Sequence, residues 1–173
     1  MNTLATERLR LVPATAALVQ SEIENLPHFF QQLGVEPVSD WPSDNLVHVL
    51  PFFRDQLAKD PSLIGWLAWY WILDTSRDAQ LVGGGGFKGF PANGEVEIGY
   101  ETRASCRRKG IASEAVDAQV VWALNQPGVT HVTADVHIDN LSSIGLLRKL
   151  SFVDVGEGSE CSLLRFEHRR EAL

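Results

Sequence analysis

Two glycine-bearing segments carry residue types that can hold a phosphate, and only one has the helix such a site needs. Arg107-Arg108-Lys109-Gly110-Ile111-Ala112-Ser113-Glu114-Ala115 joins a strand pattern to a helical one. Successive backbone N–H groups at a helix start form an anion cradle, and the helix dipole favours negative charge there. Gly110 permits close backbone approach, small Ala112 leaves room for a phosphate, and three adjacent cations add positive charge. Taken alone, the segment reads equally as a solvated basic turn before a helix. It is not a Walker loop, because the G-x-x-x-x-G-K-[ST] spacing is absent. Gly84-Gly85-Gly86-Phe87-Lys88-Gly89 fits the letters G-x-G-x-x-G, but Phe90-Pro91-Ala92-Asn93-Gly94 follows it, a turn into another strand. The dinucleotide fingerprint needs a helix at that point. The segment therefore reads as a strand whose missing side chains allow a bulge or close packing.

Other reactive side chains are few. Cys106 and Cys161 are the only cysteines. They are too few for a disulfide framework or a zinc site, and a reducing cytoplasm is the expected location. Cys106 precedes three cations, which would favour its thiolate, but nothing else points to a covalent intermediate, so it reads as an incidental loop residue. His137, alone at a strand end, reads as a hydrogen-bonded structural residue rather than a base. With 15 Lys+Arg against 22 Asp+Glu in 173 residues, the net charge is −7. That balance argues against general affinity for nucleic acid or an anionic membrane. Trp66–Leu73 falls far short of the ~20 apolar residues of a membrane helix. The opening Met1–Arg8 lacks the charged-then-apolar layout of a signal peptide.

The elements that must position these residues follow from periodicity. Arg8–Val12 alternates as a strand, and Thr15 can cap a helix over Ala16–Leu26, which Pro27 interrupts. Gly34–Pro42 reads as loop, and Ser43 or Asp44 can cap a helix over Leu46–Lys59. Gly65–Leu73 is rich in aromatic and β-branched residues and reads as a strand, with a turn at Asp74–Asp78. Strands follow at Gln80–Phe90 and Glu95–Thr102, then a helix over Gly110–Gln126 and a strand over Val129–His137. A helix over Asn140–Leu150 precedes short strands near Phe152–Val155 and Cys161–Phe166. Helices first, then an antiparallel meander, then strand–helix–strand–helix–strand imply one mixed α+β domain over residues 1–173 on a mostly antiparallel sheet.

On this frame, Arg107–Ala112 resembles the [QR]-x-x-G-x-[GA] acetyl-CoA loop of the Gcn5-related N-acetyltransferases (GNAT). Val96-Glu97-Ile98-Gly99-Tyr100 resembles the strand before that loop in the branch containing ribosomal-protein N-terminal acetyltransferases of the RimJ/RimL type. Gly110–Ala115 resembles that branch's G-x-A-[ST]-E-A helix start. Asn140-Leu141-Ser142-Ser143, followed by Leu150-Ser151-Phe152, resembles its N-x-x-S…L-G-F element. Thr6-Glu7-Arg8-Leu9-Arg10-Leu11 resembles its T-x-R-L-x-L opening. The resemblance covers about Thr6 to Phe166. It implies six to seven strands flanked by about four helices, with acetyl-CoA as cosubstrate, no metal, and acetyl transfer to a primary amine of a small molecule or peptide N-terminus in a ternary complex. A homodimer is an assembly the resemblance allows.

The resemblance also implies roles. Backbone N–H groups of Arg108, Lys109, Gly110, Ala112 and Ser113 would hold the pyrophosphate, with Arg107 at the first loop position. The backbone of Tyr100, Glu101 and Thr102 would pair with the pantetheine and polarise the thioester carbonyl. Glu97 takes the position of a general base, directly or through water; as a residue it also reads as one exposed position on a half-buried strand, like Glu95 and Glu101. The tyrosine acid expected seven residues after Asn140 is Leu147 here, and Ser143 is the substitute donor unless it merely caps its helix. Asn140 reads as a cofactor contact or helix cap. Ser151 stands where the family has glycine, in a left-handed position less comfortable for serine. The acceptor cleft is expected around Phe29–Pro42 and Lys88–Gly94, with Phe29, Phe30, Trp41, Trp66, Trp69 and Trp71 as walls or core. The missing tyrosine also leaves a second function open: a non-catalytic acyl-CoA-binding or sensing module.

Overall fold

The computed structural model describes residues 3–75 and 78–170. Chain order is β1 (Leu4–Ala5), β2 (Leu9–Pro13), α1 (Ala16–Glu24), α2 (Leu26–Leu33), α3 (Asp44–Lys59), β3 (Trp69–Asp74), β4 (Ala79–Phe87), β5 (Glu95–Thr102), α4 (Ile111–Leu124), β6 (His131–His137), α5 (Leu141–Lys149), β7 (Val153–Glu157) and β8 (Leu163–Arg169). The strands form one sheet in the order β1-β2-β3-β4-β5-β6-β8-β7. Every pairing is antiparallel except β5 with β6. The α+β class and the antiparallel meander thus match the sequence reading.

Strand alternation divides the core in two. Leu9, Leu11, Trp69 and Trp71 point to one face, where they pack with Ile111, Ala115, Val116 and Val120 of α4. Tyr70, Ile72 and Leu81 point to the other, under Leu18, Phe29, Phe30 and Leu50 of the first three helices. Period-2 alternation on β3 therefore feeds two layers of helices.

Among the described residues, eight strands and five α-helices exceed the expected six to seven and four. β1 has two residues, too short to show a period. Pro27 does not merely interrupt a helix; it opens α2, at a first-turn position where its missing N–H costs nothing. Asn25 caps α2 by accepting from His28 N at 3.1 Å. Thr15 and Ser43 cap α1 and α3, accepting from Leu18 N and Leu46 N, each at 3.2 Å. The turn expected at Asp74–Asp78 is closed by Thr75 and Asp78, with Thr75 N donating to Asp78 O at 2.9 Å. Its Ser76 and Arg77 lie outside the described residues.

The strand expected over Gly65–Leu73 begins four residues later, at Trp69. The Gly83–Gly86 run is strand, as read, and close packing is its reason. A Cβ on Gly86 would lie 1.7 Å from the Leu67 carbonyl oxygen. No side chain fits there. Among the described residues, no helix is long and apolar enough to cross a membrane.

Candidate active site

The parallel pair β5–β6 is registered only at Glu95↔His131, Val96↔Val132 and Glu97↔Thr133. From Ile98 onward β5 stays with β4 while β6 continues with β8, so the two strands splay apart. Glu97 O accepts from Lys88 N and Arg103 N donates to Val82 O, both at 3.0 Å, so odd-numbered residues of this strand turn their backbone to β4. Alternation turns the backbone of Tyr100 and Thr102 into the gap, where no strand answers it. Glu101 is the exception within the expected trio: its backbone faces β4. Arg107 closes one end of the gap, its Nε donating to Thr102 O at 3.2 Å.

The basic loop leads directly into α4. Gly110 is its N-cap at φ 76°, and no side chain caps the helix. A left-handed φ suits glycine, and an uncapped helix start leaves first-turn N–H groups available to an anion. Arg108 is also left-handed, at φ 60°. Lys109 Nζ donates to Ser105 O at 3.0 Å, and Arg8 Nη1 donates to Lys109 O at 3.1 Å, which fix the loop from both sides. Arg107, Arg108, Lys109 and Gly110 are exposed, and Ala112 and Ser113 half-buried. An open strand edge beside an uncapped fourteen-residue helix fits the pantetheine and pyrophosphate of coenzyme A. Among the described residues, no cluster of three His, Cys, Asp or Glu side chains could hold a metal ion.

Across the gap stands the start of α5. Asn140 is its N-cap, Oδ1 accepting from Ser143 N at 3.2 Å and from Ser142 Oγ at 2.9 Å. Ser143 is capped rather than capping, so its own hydroxyl is left for other work. The Tyr100 hydroxyl is buried and turned toward Ser143, short of a well-formed hydrogen bond. Burial raises the Tyr100 pKa, partly offset by Ser143, so the phenol stays protonated. Leu147 is fully buried in the core. His137 is exposed, and its Nδ1 accepts from Asp139 N at 3.3 Å and lies 3.6 Å from the Asp139 carboxylate, so it is the hydrogen-bonded structural residue expected. Cys106 is a buried core member with a free thiol, and Cys161 is exposed.

On the opposite face of β5 lies a cavity of about 680 Å³ between α3 and strands β3–β5. Its walls are mostly apolar, from Trp41, Leu46, Leu50, Phe52, Phe53 and Tyr70. Gly99, Tyr100 and Glu101 also line it, so the cavity adjoins the residues that edge the gap. Of the aromatics expected at an acceptor cleft, Trp41 lines it; Trp69 borders it but turns its ring to Trp122 on the α4 face, and Phe29, Phe30 and Trp71 are core. Trp66 packs instead edge-on or tilted against Phe87, Phe90 and Trp122. Lys88 lines the cavity and ion-pairs with Glu97.

Several residues here have no local sequence signal. Ser43 donates to both Glu101 carboxylate oxygens, at 2.9 and 2.8 Å. Asp40 accepts from Arg103 Nε at 2.7 Å and from Ser105 Oγ at 2.9 Å. Glu22 is buried and accepts from Trp41 Nε1 at 2.8 Å and from the Tyr70 hydroxyl. Burial pushes the Glu22 pKa up to about 7 against the pull of those two donors, and the nearby Glu101 raises it further. These partners lie tens of residues apart in sequence, so spacing cannot reveal them.

The family model for the acetyltransferase (GNAT) domain matches residues 8–153. The chain is 36% identical over 151 residues to the uncharacterized N-acetyltransferase YjdG of Bacillus subtilis (strain 168), covering 87% of this chain and 89% of that protein. Among solved structures it resembles RimL, a ribosomal L7/L12 alpha-N-protein acetyltransferase in complex with coenzyme A, with TM-score 0.66, 18% identity, and 97% and 98% of the two chains covered. It also resembles the microcin C7 self-immunity acetyltransferase MccE in complex with acetyl-CoA and AMP, with TM-score 0.65, 18% identity, and 95% and 94% coverage.

Proposed function

The chain belongs to the GNAT acetyltransferase family and is an N-acetyltransferase that uses acetyl-CoA; from that premise we propose that it acetylates a primary amine, of a small molecule or a peptide N-terminus, by direct attack in a ternary complex. One observation carries this reading. The cavity on the α3 face and the strand gap share Tyr100, so an amine in one and a thioester in the other would meet at that residue. No covalent relay is needed, and the buried Cys106 offers none.

Acetyl-CoA supplies an activated thioester whose carbonyl carbon the amine attacks. The chain's own groups then do three things. First, N–H groups of Arg108, Lys109, Gly110, Ala112 and Ser113 hold the pyrophosphate, supported by the Arg107 cation. The backbone of Tyr100 and Thr102 aligns the pantetheine and can polarise the carbonyl oxygen. Second, Glu97 accepts the ammonium proton through a water, its carboxylate held at the cavity rim by Lys88. Third, Ser143, backed by the protonated Tyr100 phenol, gives a proton to the departing thiolate. Asn140 fixes Ser143 by capping α5. The chain's free cysteines fit a cytoplasmic setting for this chemistry.

The test is calorimetry with acetyl-CoA followed by thiol release across an amine and peptide panel, with wild type, Glu97→Gln and Ser143→Ala side by side. We expect unchanged acetyl-CoA affinity in both variants. Turnover should fall about 10²-fold for Glu97→Gln, the usual size of a lost base, and about tenfold for Ser143→Ala. Acetyl-CoA binding without thiol release from any amine would instead identify a sensing module.

A further inference from the structure

The cavity on the α3 face is shaped and charged for one class of acceptor. Its walls are aromatic and aliphatic, and its volume of about 680 Å³ is that of a small-molecule site. One carboxylate of β5, that of Glu101, lines it, and Glu97 lies beyond Gly99 on the same strand face. Glu97 is neutralised by Lys88. Glu101 is half-buried, hydrogen-bonded by the Ser43 hydroxyl, and among the described residues has no cation within ion-pair distance. A partly desolvated carboxylate beside an apolar cavity favours a cationic partner. Between the two glutamates sits Gly99, exposed, with nothing within 4 Å of where a Cβ would stand. The missing side chain keeps the cavity open at the strand edge.

Resting on the acetyltransferase reading, we propose that the acceptor is a primary amine carrying an apolar, aryl-sized group. Its ammonium sits on Glu101 and its body lies among Trp41, Phe52 and Phe53. Polyamines fit poorly. Among the described residues that line the cavity, a second ammonium would find no further carboxylate to receive it.

Three probes decide this, 2-phenylethylamine, ethylamine and putrescine, each read two ways. Calorimetry with the CoA-loaded protein measures amine binding without turnover, and thiol release from acetyl-CoA measures kcat/KM. We expect 2-phenylethylamine to exceed putrescine at least tenfold in both. Glu101→Gln should weaken 2-phenylethylamine at least tenfold in Kd and KM while leaving acetyl-CoA affinity unchanged. Gly99→Leu, at a position with open space and ordinary φ, should exclude 2-phenylethylamine far more than ethylamine. Putrescine binding as well as 2-phenylethylamine, or an unmoved amine Kd in Glu101→Gln, would overturn the proposal. The two readings fail separately. Absent thiol release with intact 2-phenylethylamine binding sinks catalysis alone, whereas brisk turnover of putrescine sinks the aryl-amine assignment alone.

Discussion

Glu22 shows how one side chain ties stability to the cavity on the α3 face. It is buried under Trp41 and Tyr70, both of which line the cavity. Its carboxyl holds a proton up to about pH 7, whereas in the unfolded chain it ionises near its ordinary 4.5. Between those values the unfolded state has lost the proton that the folded state keeps. Stability from this group is therefore fully present below about 4.5 and declines as pH rises to about 7. The total loss is on the order of 3 kcal/mol by linkage. We expect Glu22→Gln to flatten that decline and to be more stable than wild type at pH 8, as denaturant melts from pH 4.5 to 8 would record. The residue scale is also where sequence reading is weakest. Glu97 and Glu101 share one strand face and differ in sequence only by position. What separates them is Lys88 beside one and Ser43 beside the other.

At the scale of elements, α5 ends as its spacing foretells and with the strain its composition implies. Phe152 N donates to Leu147 O at 3.0 Å and Ser151 N to Arg148 O at 3.1 Å, the two bonds of a Schellman cap. Ser151 sits at φ 62°, a left-handed conformation that costs a residue with a Cβ roughly 1–2 kcal/mol. Ser151→Gly should therefore raise stability by about 1 kcal/mol, or about 2–4 °C in Tm for a chain of this size. Thermal melts check it; an unchanged or lowered Tm would mean that the lost unfolded-state freedom outweighs the relieved strain. Caps were legible in the sequence because they are local: Thr15, Ser43 and Asn140 each lie three residues from the N–H they accept. α2 was not, because a proline that breaks one helix and a proline that starts the next look alike until Asn25 is seen capping His28.

At the scale of the whole molecule, long-range contacts join the motifs. Glu114, on the first turn of α4, accepts from Arg8 N at 2.8 Å, from Arg8 Nε at 2.7 Å and from the Thr6 hydroxyl. Thr6 and Arg8 thus clamp the uncapped start of α4. Burial works against the Glu114 charge, but these donors outweigh it and hold its carboxyl below the usual range. Stability from it is present above about pH 4.5 and is lost as pH falls through the lowered value. Arg8 is well exposed and its ion pair screened, so the Thr6 and backbone N–H bonds carry most of the effect. Glu114→Ala should cost about 2 kcal/mol and weaken acetyl-CoA binding, by melts and calorimetry. A second strap, Asp40 to Arg103 and Ser105, ties the acceptor-side loop to the end of β5. By itself the sequence determined the α+β order, the alternating strands, the local caps and the basic loop that leads into α4, because each depends on residues within a few positions of one another. Only the tertiary structure decided where β5 leaves β6, which glutamate meets the cavity, and that α3 forms its wall. Those features are set by side chains brought together across tens of residues, and no local period encodes such meetings.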